Sequence, residues 1–374
     1  MPPDSSYLDY NATAPLRPEA RSALLRALEV EGNASSLHGP GRAARALVEE
    51  AREAVADLVG ARPLEVLFTS GATEANNLCL AGSGAVRRLA SAGEHESVLA
   101  ALEGQEIGLE PDGRIDLSAL QQALTAGEGP ALVSLMAANN ETGVIQPLQE
   151  AASCIKSVGG YLHSDAVQAV GRLDPALWAE ADYISLSAHK LGGPKGIGAL
   201  VVRDAAPLRP LLRGGGQEQR LRAGTENVAA IAGFGAAARA VASRWRKEVA
   251  EATGLRDRFE AGLRDLAPDV VVFGAAVPRL ANTSCFALPG LRAETLLIKL
   301  DLAGIFVSSG SACSSGKVQR SHVLTAMGVE PHLSEGALRV SFGWASSAED
   351  VVLALKAFAA ILRRDGPAVA QAVA

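Results

Sequence analysis

The apolar positions of this chain follow two periods. Short runs with hardly a break, Glu65-Val66-Leu67-Phe68-Thr69, Tyr161-Leu162-His163-Ser164-Asp165 and Ala181-Asp182-Tyr183-Ile184-Ser185-Leu186, predict buried strands. Between them lie helical patterns. From Arg42 to Val59 the stripe Leu47, Ala51, Val55 and Leu58 predicts an amphipathic helix that covers a sheet, and Pro147 to Val158 repeats Leu148, Ala151, Ala152 and Ile155. Strands alternating with helices argue for the α/β class, an open and mainly parallel sheet with helices on both faces. In such sheets ligands sit at the carboxyl ends of the strands.

A long helical pattern from Asn227 to about Leu266 changes from alanine-rich to charged near Arg244-Trp245-Arg246-Lys247-Glu248, and the domain boundary is expected there. Residues 14–246 would form a large domain. Residues 1–13 and 247–374, with strand-like Asp269-Val270-Val271-Val272-Phe273 and Thr283-Ser284-Cys285-Phe286-Ala287-Leu288, would form a smaller α+β domain. No internal repeat and no linker-like low-complexity tract is visible.

Composition narrows the function classes. With 48% hydrophobic and 20% charged residues, the 374-residue chain reads as an ordinary globular protein of two or three domains. Its net charge of −6 supplies no general field for nucleic acid, and the apolar stretch near Val228–Phe234 is too short to cross a membrane. The N-terminus Met1-Pro2-Pro3-Asp4-Ser5-Ser6-Tyr7 lacks the pattern of a signal peptide, and four cysteines without metal or disulfide spacing fit a reducing, cytoplasmic compartment. No metal site is expected.

The candidate chemistry lies at the strand ends. Ser187-Ala188-His189-Lys190, followed by Leu191-Gly192-Gly193-Pro194-Lys195-Gly196, puts a lysine after a buried run and ahead of glycine-rich backbone, where a Schiff-base enzyme would hold pyridoxal phosphate. A solvated surface lysine is the competing reading. Asp165 and Gln168 close the preceding strand as the acid and amide that a pyridine ring needs, although Asp165 could instead cap a helix. Ser70-Gly71-Ala72-Thr73 looks like a turn opening a helix. The N–H groups of Ala72 and Thr73, with the Thr73 hydroxyl, would form a phosphate cup. Cys313 sits in the small, polar run Ser308-Ser309-Gly310-Ser311-Ala312-Cys313-Ser314-Ser315-Gly316, which favours an exposed thiol able to act as a nucleophile. Cys79, Cys154 and Cys285 occupy patterns of core or half-buried positions.

Taken with Tyr7-Leu8-Asp9-Tyr10-Asn11-Ala12-Thr13, Glu94-His95-Glu96-Ser97-Val98, Asn139-Asn140-Glu141-Thr142-Gly143, Arg222-Ala223-Gly224-Thr225-Glu226-Asn227 and Leu338-Arg339-Val340-Ser341, these motifs make the sequence resemble the class V pyridoxal phosphate enzymes, and within them the longer-loop cysteine desulfurases. The likeness covers roughly nine-tenths of the chain. It implies the fold type I transferase architecture, a mainly parallel seven-stranded sheet between helices plus a smaller α+β domain. It implies that Lys190 binds the cofactor covalently, that Asp165 meets the pyridine nitrogen and Gln168 the ring oxygen, and that His95 stacks on the ring and exchanges protons. Thr73, Ser187 and His189 would hold the phosphate together with Thr225 of a neighbouring subunit, so a homodimer with composite sites is implied. Asn139 and Arg339 would position the substrate, and Cys313 would take the sulfur of L-cysteine as a persulfide and pass it to an iron–sulfur scaffold or sulfur carrier. A selenocysteine lyase or cysteine-sulfinate desulfinase of the same fold, and a non-catalytic sulfur-relay protein, are the alternatives.

Three departures stand out. Gly192 replaces an aromatic common in the family. Lys317-Val318-Gln319-Arg320 replaces an acidic residue and a proline. The tail after Arg363-Arg364-Asp365-Gly366-Pro367 is shorter than the segment that docks the cluster scaffold in housekeeping members.

Overall fold

A computed structural model describes residues 5–203, 206–309 and 320–369. The strands are β1 (Ser6–Tyr7), β2 (Val66–Thr69), β3 (Arg87–Ser91), β4 (Gln105–Ile107), β5 (Ala131–Ser134), β6 (Tyr161–Asp165), β7 (Tyr183–Ser187), β8 (Gly198–Val202), β9 (Val271–Val272), β10 (Thr283–Ala287), β11 (Ile305–Phe306), β12 (Ser308–Ser309) and β13 (Ala337–Ser341). The helices are α1 (Pro18–Leu28), α2 (Gly39–Val59), α3 (Ala72–Gly82), α4 (Glu96–Leu99), α5 (Leu117–Thr125), α6 (Leu148–Ser157), α7 (Val228–Leu266), α8 (Ala293–Leu302), α9 (His322–Ala326), α10 (Pro331–Ser334) and α11 (Ala348–Val369).

Seven strands form one sheet in the order β2-β8-β7-β6-β5-β3-β4. Five of them, from β7 to β4, run parallel, while β8 lies antiparallel to both β7 and β2. The uninterrupted apolar runs follow from burial on two faces, as parallel sheets require. Along β3 and β5 the side chains alternate between two cores, Leu89 and Val133 packing with the α2 side and Ala90 and Leu132 with the α3 side. A second, antiparallel sheet has the order β12-β13-β10-β9; the N-terminal arm meets it through an Asp9–Ser341 bridge and forms a separate parallel pair, β1–β11. Its apolar core, built around Phe259, Phe286, Phe342 and Phe358, is separate from that of the large sheet.

Several expectations shift by a few residues for identifiable reasons. Helix α2 begins at Gly39 rather than Arg42, because His38 Nδ1 accepts the Gly41 N–H (3.3 Å) and Pro40 is suited to a first turn. Its buried stripe runs through Ala44, Val48, Ala51 and Val55, with Leu47 only half-buried. Arg52, also on α2, turns inward against Glu218 (2.9 Å) and over the Phe68 ring. Glu218 Oε2 in turn accepts the Phe68 N–H (2.9 Å), which ties down a segment whose Glu218, Gln219 and Arg220 all adopt left-handed backbone (φ 43°, 58° and 67°). At Gly192 the backbone is also left-handed (φ 81°), and a Cβ there would meet Arg17 Cγ at 2.6 Å. Arg17 takes up the space around Gly192, bonded to Leu191 O (2.8 Å) and Glu248 and stacked on Trp344.

Candidate active site

The chain brings its chemistry together by ending parallel strands side by side. β6 stops at Asp165 and β7 at Ser187, and one turn of 3-10 helix, Ala188–Lys190, then carries Lys190 over the strand ends. Its Nζ donates to the backbone carbonyl of Asn11. Burial, reinforced by the Arg339 and Arg172 charges, lowers the Lys190 pKa to about 7. Asp165 accepts from Asn76 Nδ2 (2.9 Å) and from the Val167 N–H (3.0 Å), which fixes the plane of its carboxylate. Gln168 is buried, with its amide nitrogen on Asn11 O (2.9 Å).

His95 caps α4. Its Nδ1 accepts the Ser97 N–H at 3.1 Å, a partner that can only donate, and burial lowers the ring's pKa. The neutral ring therefore carries its proton on Nε2. Burial, with Lys190 and Lys195 nearby, lowers the His189 pKa to about 4; its Nδ1 lies 3.1 Å from Thr13 Oγ1.

Helix α3 starts directly beneath this cluster. Its cap is Gly71, which offers no side chain to the first N–H groups of Ala72 and Thr73. Glu74, the acid of the first turn, is held instead by the Ser70 N–H (2.7 Å) and Arg222 (2.9 Å). Gly198 lets the turn pack on the sheet, since a Cβ there would lie 2.7 Å from Gly71 Cα.

The opposing wall comes from β13 and the start of α9. Arg339 donates to Asp9 Oδ1 (2.7 Å) and to Asn140 O (3.0 Å), while its Nε is buried with no partner. His322 Nε2 reaches Glu94 O (2.9 Å). Ser321 donates to Glu141, whose burial raises its pKa to about 6. Between the walls lies a cavity of about 860 Å³.

Nine of the residues expected at the site line this cavity: Ala72, Thr73, His95, Asp165, Gln168, Ser187, His189, Lys190 and Arg339. Asn139 does not, and its assignment is corrected by one residue. The Asn139 amide is consumed away from the cavity, accepting from the N–H groups of Glu141 and Thr142 in its own turn (both 2.9 Å) and donating to Gly93 O (3.0 Å). Asn140 lines the cavity in its place. Thr225 is exposed and lies outside the cavity of its own chain, beside Leu211 and Gly224. Cys313 falls outside the described residues. Asn11, Thr13, Lys195, Arg320 and His322 also line the cavity without having been assigned a role. For Asn11 and Thr13 the signal was present, in the motif Asp9-Tyr10-Asn11-Ala12-Thr13. Cys79 and Cys285 are buried, which pushes their thiols up and away from nucleophilic use, and Cys154 is half-buried.

The profile of the aminotransferase class-V family matches residues 6–353. An IscS-like cysteine desulfurase of Mycobacterium tuberculosis is 41% identical over 371 residues, covering 94% of each chain. A cysteine desulfurase of Cereibacter sphaeroides is 45% identical over 361 residues, 92% of each. Among solved structures, a NifS-like protein from Rickettsia africae superposes with a TM-score of 0.88 at 33% identity, over 96% of this chain and 99% of the other. With its strand-end lysine, its paired acid and amide and its helix-terminal cup, the chain belongs to the class V aminotransferase family of pyridoxal phosphate enzymes.

Proposed function

We propose that the protein is a cytoplasmic, homodimeric cysteine desulfurase that converts L-cysteine to L-alanine, leaves the sulfur as a persulfide on Cys313, and supplies it to iron–sulfur cluster assembly and other thio-cofactors. The observation that carries this reading is the convergence of Lys190, Asp165, Gln168 and His95 on one cavity, in a chain whose relatives bear that name.

The donor set fits the cofactor. A phosphate suits the α3 terminus left open by Gly71, with Ser187, His189 and Lys195 beside it. The Asp165 carboxylate suits a protonated ring nitrogen, and the Gln168 NH2 suits the ring oxygen. Pyridoxal phosphate, when bound, supplies a sink for the electron pair left on the substrate carbon.

The chain's own residues do the rest. Lys190, whose lowered pKa of about 7 leaves much of it uncharged at neutral pH, holds the cofactor and then takes the proton from the substrate α-carbon. Arg339 and Asn140 orient the substrate, Arg339 by its fork on the carboxylate. His95 exchanges a proton through Nε2. At the sulfur, the substrate C–S bond breaks as an S–S bond forms to the Cys313 thiolate, and the carbon keeps the electron pair and takes a proton. Cysteine and a protein thiol thereby become alanine and a protein persulfide.

Thr225 serves the phosphate of the partner subunit. Its exposure, and the anchoring of its segment through Glu218 to Arg52 and through Arg222 to Glu74, support that role. The separate apolar cores support a large domain of residues 14–246 and a small one of residues 1–13 and 247–374.

Incubation with L-cysteine and a thiol reductant tests the reading: alanine and sulfide should appear in equal amounts. Cys313→Ser should retain the cofactor and form no persulfide, with alanine formation down at least about a hundredfold. Undiminished alanine formation by that variant would favour a lyase or desulfinase.

A further inference from the structure

Gln168 can meet a ring oxygen only if its NH2, and not its carbonyl, is presented to it. Two neighbours of opposite character decide the matter. On one side stands the Asn11 backbone carbonyl, which can only accept, 2.9 Å from the amide nitrogen. On the other stands Arg172, which can only donate. Its Nη1 bonds both the Gln168 main-chain oxygen (3.1 Å) and the side-chain Oε1. A reversed amide would set NH2 against guanidinium and carbonyl against carbonyl, so the orientation follows from the chemistry of both partners. Asn11 O takes one of the two amide hydrogens, and Gln168 lines the cavity with the other.

We infer that Arg172 is a positioning residue for the cofactor pocket, occupying the Gln168 carbonyl oxygen so that only an N–H remains to meet the cofactor's ring oxygen. Arg172 lies behind the catalytic wall, in a narrow cleft that also touches Lys190, Tyr10 and Asn282, and it does not line the main cavity. It therefore acts through Gln168 without touching substrate. A donor on the ring oxygen favours its ionised form and lowers the proton affinity of the cofactor bound to Lys190. Other charged and titratable groups around Lys190 are Arg339, Asp165, Asp9, His95 and His189, with Tyr10, Arg17 and Glu248 lining the cleft behind it.

The inference rests on reading the cavity as a pyridoxal phosphate site, and a pH titration of the holoenzyme's visible absorbance tests both separately. If wild-type protein binds no cofactor, the reading of the site fails. If it does, Arg172→Met should raise the midpoint by about one pH unit, because the amide is freed to turn. Arg172→Gln keeps a donor for Oε1 and drops the charge, so its midpoint should move by less than half as much. Equal shifts in the two variants would mean that only the charge matters, and no shift in either would mean a purely structural role; each result overturns the inference. Should Arg172→Met fail to fold, Gln168→Leu carries the same test. It should raise the midpoint as Arg172→Met would, and an unchanged midpoint would show that there is no oriented donor to lose.

Discussion

On the wall contributed by the large sheet, Lys190, His189 and His95 all hold their protons less tightly than the free side chains do, and burial is the main cause in each. On the facing wall the groups that reach the cavity include Arg339 and Arg320, guanidinium donors with no acceptor. Arg339 is held from behind by Asp9, which also accepts from Ser308 Oγ (2.7 Å). One wall lowers the proton affinity of its buried bases, and the other offers fixed positive charge with which, on the proposed reading, it would grip an anion. The difference follows from topology: parallel strand ends bury whatever follows them, whereas β13 joins the N-terminal arm, whose Asp9 is within reach of Arg339.

The comparison breaks most visibly at Lys190. Lys190→Met should lower alanine formation by at least about a thousandfold, followed by amino-acid analysis. In the cofactor-free protein the same change should raise the thermal midpoint by roughly 2–5 °C at pH 6 and by less at pH 9. Folded Lys190 gives up its proton near pH 7, whereas an ordinary lysine keeps it to 10.5. The native state is therefore penalised most below pH 7, and the penalty fades as the pH rises toward 10.5. On the gripping wall, Arg339→Lys keeps the charge and loses the fork. KM for cysteine should rise about 10- to 100-fold, for a loss of roughly 1.5–3 kcal/mol, with kcat changed less.

The two neighbouring asparagines sharpen the same division. Asn139→Ala strips the acceptor of two backbone N–H groups and should cost about 2–4 kcal/mol in denaturant unfolding. Asn140→Ala should leave unfolding within about 0.5 kcal/mol and raise KM about tenfold. A stability effect confined to one pH range is expected at Glu141, whose raised pKa means that the native state binds more protons than the unfolded chain between about pH 4.5 and 6. Stability falls as pH rises through that window. Glu141→Gln should therefore stabilise by about 2 kcal/mol at pH 8 and leave pH 4 unchanged, as calorimetry would show.

Much of this was legible in the chain. Buried runs that end in Asp165 and Lys190 announce both the strands and the edge at which they open, because two-sided burial leaves an ionised side chain little place except the tips, while the neutral His163 and Ser185 bond each other inside the sheet. Choosing between Asn139 and Asn140 was beyond it, since that depends on which amide a tight turn consumes. Nothing in the chain marks Arg172, four residues past Gln168, and only the packed turn sets it against that amide. The antiparallel β8 was hidden for a similar reason: a buried run looks the same in either direction.

Helix α7 has a consequence of another kind. Its 39 residues make a rod of about 58 Å. Ile231, Phe234, Ala238 and Val241 belong to the core beneath the large sheet, while Leu255, Phe259 and Leu263 belong to the phenylalanine core beneath the small one. Neither core can melt without stripping half the rod of its packing, and helices hold their shape in water mainly through such packing. The two cores are thereby yoked into one cooperative transition, and a cavity opened at Phe259, remote from the strand-end turn of Lys190, would be felt at both walls of the active site together.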